Sequence, residues 1–298
     1  MVKTNISAIR DVMLEMGIRP RKRWGQNFLK ERGILELMVR AAAVGPDDLV
    51  LEIGPGPGCL TEVLLQAGAT IVAVEIDAKM IELARKLLGE QSRVLWQHID
   101  FLDRKNRIDA SLMAYLRREI DAEAFRGLKV VSNLPYNISV PALLNLLESR
   151  LSIDTMVVTV QNEVADRLLA KPGSASYGSV SVLVSLLAGV RRLRRVNASA
   201  FWPPPKVASS VIEVIPRAAP PLGDDVSYAT FKKIVKAIFA HRRKGWFKSL
   251  AMHLGVSDGG RRLRDGYLHR GHDLARRAES LAYQEIVELA RVAGELGI

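Results

Sequence analysis

The 298-residue sequence predicts an α/β fold, with a mostly parallel seven-stranded sheet, an antiparallel pair at one sheet edge, and a small all-helical domain after it. Three observations predict it. From Leu49 to about Ile215, short β-branched runs alternate with helical patterns, as expected of strands joined by crossover helices. The last two of these runs are separated by a proline-rich loop without a full crossover helix, which suits an antiparallel pair. Beyond PRAAPPLGDD, Pro216 to Asp225, strand patterns disappear, and this composition break reads as a linker. The domains are therefore expected at 1–216 and 217–298.

Taken in order, the predicted strands are LVLEI, TIVAVEI, RVLWQHI, LKVVSN, DTMVVTV, SVSVLVSLL and ASSVIEVI. Between them, CLTEVLLQAG and AKMIELARKLLG read as helices, each closed by the glycine expected just past a helix end. PALLNLLES follows Ser139, read as an N-cap, with a proline in the first turn. After the linker, Phe231, Ile234, Val235, Ile238 and Phe239 recur at helical spacing while Lys232, Lys233 and Lys236 take other faces. This is an amphipathic helix with a basic exposed side.

Forty-three Lys and Arg against thirty-two Asp and Glu give a formal charge of +11, which favours a polyanionic partner over an acidic metabolite. The basic residues cluster at Arg19, Arg21, Lys22 and Arg23, at Arg191, Arg192, Arg194 and Arg195, at Arg242, Arg243 and Lys244, and at Arg261, Arg262 and Arg264. Four such clusters point to nucleic acid. A single cysteine, Cys59, excludes an internal disulfide and a cysteine-based metal cluster, and suits a reducing compartment. His269 and His272 lack companion ligands, so no metal is expected. Without an apolar leader or a membrane-length apolar run, the expected location is the cytoplasm.

The first strand runs directly into glycine, in LVLEIGPGPGCLTEVLL. Gly54, Gly56 and Gly58 stand at alternate positions between strand and helix, where the missing Cβ lets a ligand approach the backbone. Glu75, about twenty residues on and at the end of the next strand, is placed to take the hydroxyls of a ribose. Nicotinamide and S-adenosylmethionine binders share that device, but the G-x-G-x-G spacing departs from the G-x-G-x-x-G that seats a pyrophosphate. Asp100 ends the third strand within reach of an adenine amino group, and Asn133 ends the fourth. In VVSNLPYNIS, Pro135 stops the ladder and holds the residue before it extended, presenting Asn133 and Tyr136 at the sheet edge where open α/β sheets bind ligands.

These stretches, taken together, resemble the ribosomal RNA adenine dimethyltransferases of the small-subunit type, the KsgA/RsmA family. PRKRWGQNFL is similar to that family's cofactor-covering segment, EIGPGPG to its glycine loop, VEID to its ribose acid and SNLPYNIS to its target-base motif. QNEVADRLLAKPGSASYGSVSVLV, AFWPPPKVASSVIEV and FAHRRKGWFKSL continue the match in family order over almost the whole chain. The resemblance implies a Rossmann-like methyltransferase domain that uses S-adenosyl-L-methionine. Asn27, Leu29, Gly54, Gly56, Glu75, Asp100 and Asn133 would contact that cofactor. It implies N6,N6-dimethylation of two adjacent adenosines in the 3'-terminal hairpin loop of small-subunit ribosomal RNA, with a monomer acting on a partly assembled 30S particle. Asn133 and the Leu134 carbonyl would accept the amine hydrogens, Pro135 would fix the turn, and Tyr136 and Phe201 would sandwich the base. Trp202 and Tyr177 are weaker aromatic candidates. Arg242, Arg243 and Lys244 would dock RNA.

The chain departs from the family pattern at Trp24, Ile99 and Asn162, none of them a proposed catalytic group. Three rivals stay open here. A nicotinamide dehydrogenase would need a hydride-transfer site, and no histidine stands in such a context. A non-catalytic assembly factor on the same scaffold is opposed by Asn133, Pro135 and Tyr136 standing together. A large-subunit adenine methyltransferase shares N-x-P-Y, but the RRK helix start and the KPGSASYGSVSVL loop resemble the small-subunit type.

Overall fold

The computed structural model describes residues 4–297 apart from 22–23, 104–105, 123, 242 and 255–258. Helix α1 (Ile6–Glu15) starts on Asn5, whose side chain accepts the Ala8 amide, and buries Ile9 and Met13. The two-residue strand β1 (Phe28–Leu29) and helix α2 (Arg32–Ala41) follow. Strand and helix then alternate through β2 (Asp48–Ile53), α3 (Cys59–Gln66), β3 (Thr70–Glu75), α4 (Ala78–Leu88) and β4 (Val94–His98). The alternation continues with α5 (Ala110–Asp121), β5 (Gly127–Asn133), α6 (Ser139–Glu148) and β6 (Ile153–Gln161). After α7 (Asn162–Leu168) and α8 (Ser179–Leu187) come β7 (Ala188–Val196), the short β8 (Phe201–Trp202) and β9 (Ser209–Pro216).

Seven strands form one sheet in the order β4-β3-β2-β5-β6-β9-β7. Neighbouring pairs from β4 to β6 are parallel, and β9 runs antiparallel to β6. All six residues of β2 are buried, as a central parallel strand covered on both faces requires. Because β3 and β5 flank β2 on opposite sides, strand order reverses there, and a crevice opens at the carboxyl ends. β1 and β8 make a separate antiparallel pair, Phe28 opposite Trp202 and Leu29 opposite Phe201.

Two expectations about local structure are corrected. SVSVLVSLL is helix α8, not a strand, and the seventh strand is the adjoining AGVRRLRRV. The run carries three serines, and Ser179 and Ser181 alternate with valine as in a strand, but here the Gly178 amide donates to the Ser181 hydroxyl at the start of a helix. Ser139 is the first helical residue of α6, with Ile138 as its N-cap; the Ser139 hydroxyl donates back to the Tyr136 carbonyl at 3.1 Å.

The chain forms two compact units, Met1–Ala165 with Val190–Pro216, and Asp166–Gly189 with Arg217–Ile298. The second unit thus takes up a segment, 166–189, that lies before the linker. It holds α8, α9 (Tyr228–Phe239), α10 (Trp246–Leu254), α11 (Gly259–His269) and α12 (Tyr283–Glu295). In it α8 packs on α9 and α12, and Trp246 and Tyr267 meet edge to face in the core. Tyr177 is buried, donates to the Leu281 carbonyl at 2.9 Å and packs against Phe239, so it is a core anchor. Arg243 and Lys244 are exposed, while Arg242 lies outside the described residues.

Candidate active site

The sheet order sets Asp100, Glu75, Gly54 and Asn133 side by side, because β4, β3, β2 and β5 are neighbours in that sequence. They border a cleft of about 760 Å3, partly open to solvent, which Trp24 to Leu29 line from the N-terminal side. Asp100 stands two residues past β4, exposed, with its Oδ1 accepting from the Leu102 amide at 3.2 Å.

The glycine loop is shaped for close approach. Gly54 has φ +69°, and a Cβ there would meet Pro135 at 2.9 Å; Gly56 has φ +55°, and a Cβ there would meet the Phe28 ring at 2.9 Å. Side chains at either position would be strained and would push into the NLPY turn or the N-terminal segment. The loop is tied to its neighbours as well: the Gly54 amide donates to the Val74 carbonyl at 2.8 Å, and the Ser132 hydroxyl to the Ile53 carbonyl at 2.6 Å.

Glu75 is buried, and its two oxygens accept from the Gly56 amide at 3.2 Å and the Asp77 amide at 3.0 Å. Burial raises its carboxyl above the ordinary range despite those amides. A second carboxylate, Glu52, borders the same cleft. It is fully buried, accepts from the Thr61 hydroxyl at 2.7 Å, and is pushed up to about 8 by burial, with the nearby Glu75 charge adding to the rise. Neither glutamate has a lysine or arginine partner among the described residues. Two buried carboxylates beside a Cβ-free floor fit a cationic ligand that brings its own charge. Glu52 was passed over in the sequence, although a charged residue inside an apolar strand was a usable signal.

The half-buried Asn133 amide is held at both ends. Its Nδ2 donates to the Asn27 carbonyl at 2.9 Å, and its Oδ1 accepts from the Thr159 hydroxyl. Tyr136 bonds through its hydroxyl to Ser209 at 2.6 Å, which orients the ring. Thr159 and Ser209 are both fully buried, and nothing in the sequence marked them, since each is an ordinary strand residue. In the N-terminal segment the Arg21 guanidinium lies 4.5 Å over the Trp24 ring, and the Gln26 side chain bridges the Arg21 amide and Asp77.

Phe201 does not form an open wall. It is 1 % exposed, with its backbone paired to Leu29 and its ring in the hydrophobic core shared by α1, α2 and β1. Trp202, beside it, is half-buried, tilted against Phe28 at 6.1 Å and covered by Arg10 at 5.2 Å. Of the three departures from the family pattern, Trp24 and Ile99 line the cleft, and Asn162 accepts from the Ser210 hydroxyl at 2.5 Å. Cys59 is buried and its thiol pushed up to about 12 by burial, which leaves no thiolate for nucleophilic work.

Comparison with known proteins shows the family of the chain. The profile of the family described as "Ribosomal RNA adenine dimethylase" matches residues 17–288. A probable ribosomal RNA small subunit methyltransferase A of Methanopyrus kandleri is 42% identical over 228 residues, 76% of this chain and 75% of that protein. The ribosomal RNA small subunit methyltransferase A of Geobacter metallireducens is 37% identical over 94% of this chain and 98% of its own length. Among solved structures, a dimethyladenosine transferase from Plasmodium falciparum superposes with a TM-score of 0.73 at 24% identity, covering 91% of this chain and 98% of that one. The 23S rRNA methyltransferase ErmE superposes with a TM-score of 0.61 at 22% identity, covering 89% and 99%. These two superpositions speak for the fold alone.

Proposed function

Because the chain belongs to the ribosomal RNA adenine dimethylase family, and is thus an S-adenosylmethionine-dependent ribosomal RNA adenine-N6,N6-dimethyltransferase, we propose that NLPY is its target-base site. Its substrate in this reading is two adjacent adenosines in the 3'-terminal hairpin loop of small-subunit ribosomal RNA. S-adenosylmethionine supplies the methyl group, already activated by the sulfonium charge. Glu75 would take its ribose hydroxyls, Asp100 its adenine amino group, and Gly54 and Gly56 would give the backbone floor, with Asn27 and Leu29 closing the cleft and Asn133 at its end.

The adenine amine is a weak nucleophile, since its lone pair is delocalised into the ring. The Asn133 side-chain oxygen and the Leu134 carbonyl accept its two hydrogens and turn the lone pair toward the donor. Pro135 fixes the turn between them. Tyr136, oriented through Ser209, stacks on the base, worth roughly 1 to 3 kcal/mol. The proton leaves to water after transfer, so no strong base is needed. With Phe201 in the core, the second face of the base falls to another group or to a shift of the β8 segment. What carries this reading is the order Asp100, Glu75, Gly54, Asn133 along adjacent strand ends: the cofactor groups stop where the base motif begins.

The partner is ribosomal RNA; the finer expectation is a monomer working in the cytoplasm on a partly assembled small subunit, which presents splayed loop bases. No helix among the described residues is long and apolar enough to cross a membrane. The second unit would dock RNA through Arg242, Arg243 and Lys244. Reversing Arg243 and Lys244 should flatten the salt dependence of RNA binding; an unchanged slope removes them from the docking surface. The assignment of NLPY is tested by nucleoside mass analysis after reaction with labelled S-adenosylmethionine. Dimethyladenosine is expected at two adjacent positions, whereas methyl groups on ribose or cytosine, or monomethyladenosine alone at saturating enzyme, would overturn it.

A further inference from the structure

We propose that Thr159 is a positioning residue for methyl transfer, holding the Asn133 side-chain oxygen so that its remaining lone pair is left for the target amine. The inference rests on the base-site reading of Asn133. Thr159 lies directly across the parallel ladder from Asn133, on the neighbouring strand β6, and is completely buried. Directly opposed residues in a sheet bring their side chains within contact reach. A buried hydroxyl needs a partner, and Thr159 donates its hydrogen to Asn133 Oδ1.

The other end of the amide explains why that hydroxyl meets the oxygen. The Asn27 carbonyl, 2.9 Å from Asn133 Nδ2, can only accept, so the NH2 group must face it. A flipped amide would set Oδ1 against the Asn27 carbonyl and forfeit that hydrogen bond. Asn27 therefore selects which end is oxygen, and Thr159 holds that oxygen in place. A carboxamide oxygen has two lone pairs; Thr159 occupies one, and the amine hydrogen takes the other. Nothing else in this mechanism uses the Thr159 hydroxyl, and its side chain does not line the cleft.

Thr159→Val keeps the shape and removes the donor. At saturating S-adenosylmethionine and RNA, its single-turnover rate is expected to fall about ten- to a hundredfold, below the 10² to 10³ typical of losing a group in direct contact. Dissociation constants for both substrates should stay within about threefold, since phosphate contacts dominate RNA affinity. Thr159→Ser restores the hydroxyl and should stay within about threefold of the parent rate, which separates loss of the hydrogen bond from loss of packing. The deciding measurement is a double-mutant cycle. In an Asn133→Ala background, Thr159→Val should have no further effect, because its only route of action is gone. A normal rate in Thr159→Val with a slow Asn133→Ala overturns this inference and leaves the base site standing, as do equal losses for the Val and Ser variants or additive effects in the cycle. A normal rate in Asn133→Ala removes the base-site reading, and this inference with it.

Discussion

Strand β2 carries a buried carboxylate at each end, and the two are treated oppositely. Asp48, at its start, is out of water, and burial alone would raise its carboxyl; hydrogen bonds from Lys129 at 2.7 Å and the Gly45 amide at 2.7 Å, with the Lys129 charge and Arg126 at 3.1 Å, hold it below the ordinary range instead. Glu52, four residues on, has the Thr61 hydroxyl but no cation, and it rises to about 8. The same strand therefore has one end whose charge is compensated by the fold and one end that burial keeps protonated for want of a cation. A buried acid with a lysine is architecture, and a buried acid without one, beside a cleft, marks a binding site.

The largest effect that tests this contrast is expected from Lys129→Met. Lys129 is nearly as buried as Asp48 and also donates to the Ala43 carbonyl at 2.6 Å. Its removal should leave an uncompensated charge and destabilise the protein by about 3 to 5 kcal/mol, read by urea unfolding. Arg126, 63% exposed, should matter far less, with Arg126→Gln costing under about 1 kcal/mol. Equal losses from the two variants would show that burial does not distinguish the partners.

A smaller effect, with a pH signature, is expected at the open end. The folded chain keeps a proton on Glu52 up to about pH 8, while the unfolded chain releases it near the ordinary glutamate value of 4.5. Between those limits the folded state binds more protons, so this group's contribution to stability falls as pH rises, by about 1.4 kcal/mol per pH unit at most. Glu52→Gln abolishes the titration and keeps an oxygen for Thr61. Its stability relative to the parent should therefore climb from pH 5 to pH 8 and level off above. A difference that stays flat across that range would mean that Glu52 is ionised throughout.

How far these features were legible in the sequence follows the same division. Gly54, Glu75, Asp100 and Asn133 were readable because each stands at or just past the end of a run with a clear strand pattern, and strand ends are where such sheets bind ligands. The fate of Asp48 and Glu52 was not readable, because Lys129 stands 81 residues from Asp48 and only the pairing of β2 with β5 brings them together. Helix α8 reads as a strand because serine and valine alternate from Ser179 to Val182, the period of a half-buried strand. The true strand, AGVRRLRRV, was hidden by four arginines, whose charge suggested a surface cluster before it suggested a sheet edge. Phe201 looked available beside its prolines, and only its pairing with Leu29 shows it committed to the core.

The division of the chain has a consequence for synthesis on the ribosome. The polypeptide leaves the first unit after Ala165, re-enters it at Val190 and leaves again after Pro216, so α8 emerges long before α9 and α12, the helices that cover it. At about 5 to 20 residues per second, the nascent chain carries the apolar run SVSVLVSLL uncovered for several seconds while β7 and β9 are still being delivered to the sheet. A chain cut after Pro216 would carry every strand of the sheet and would leave that helix permanently bare. Covering α8 therefore waits on the two C-terminal helices, α9 and α12.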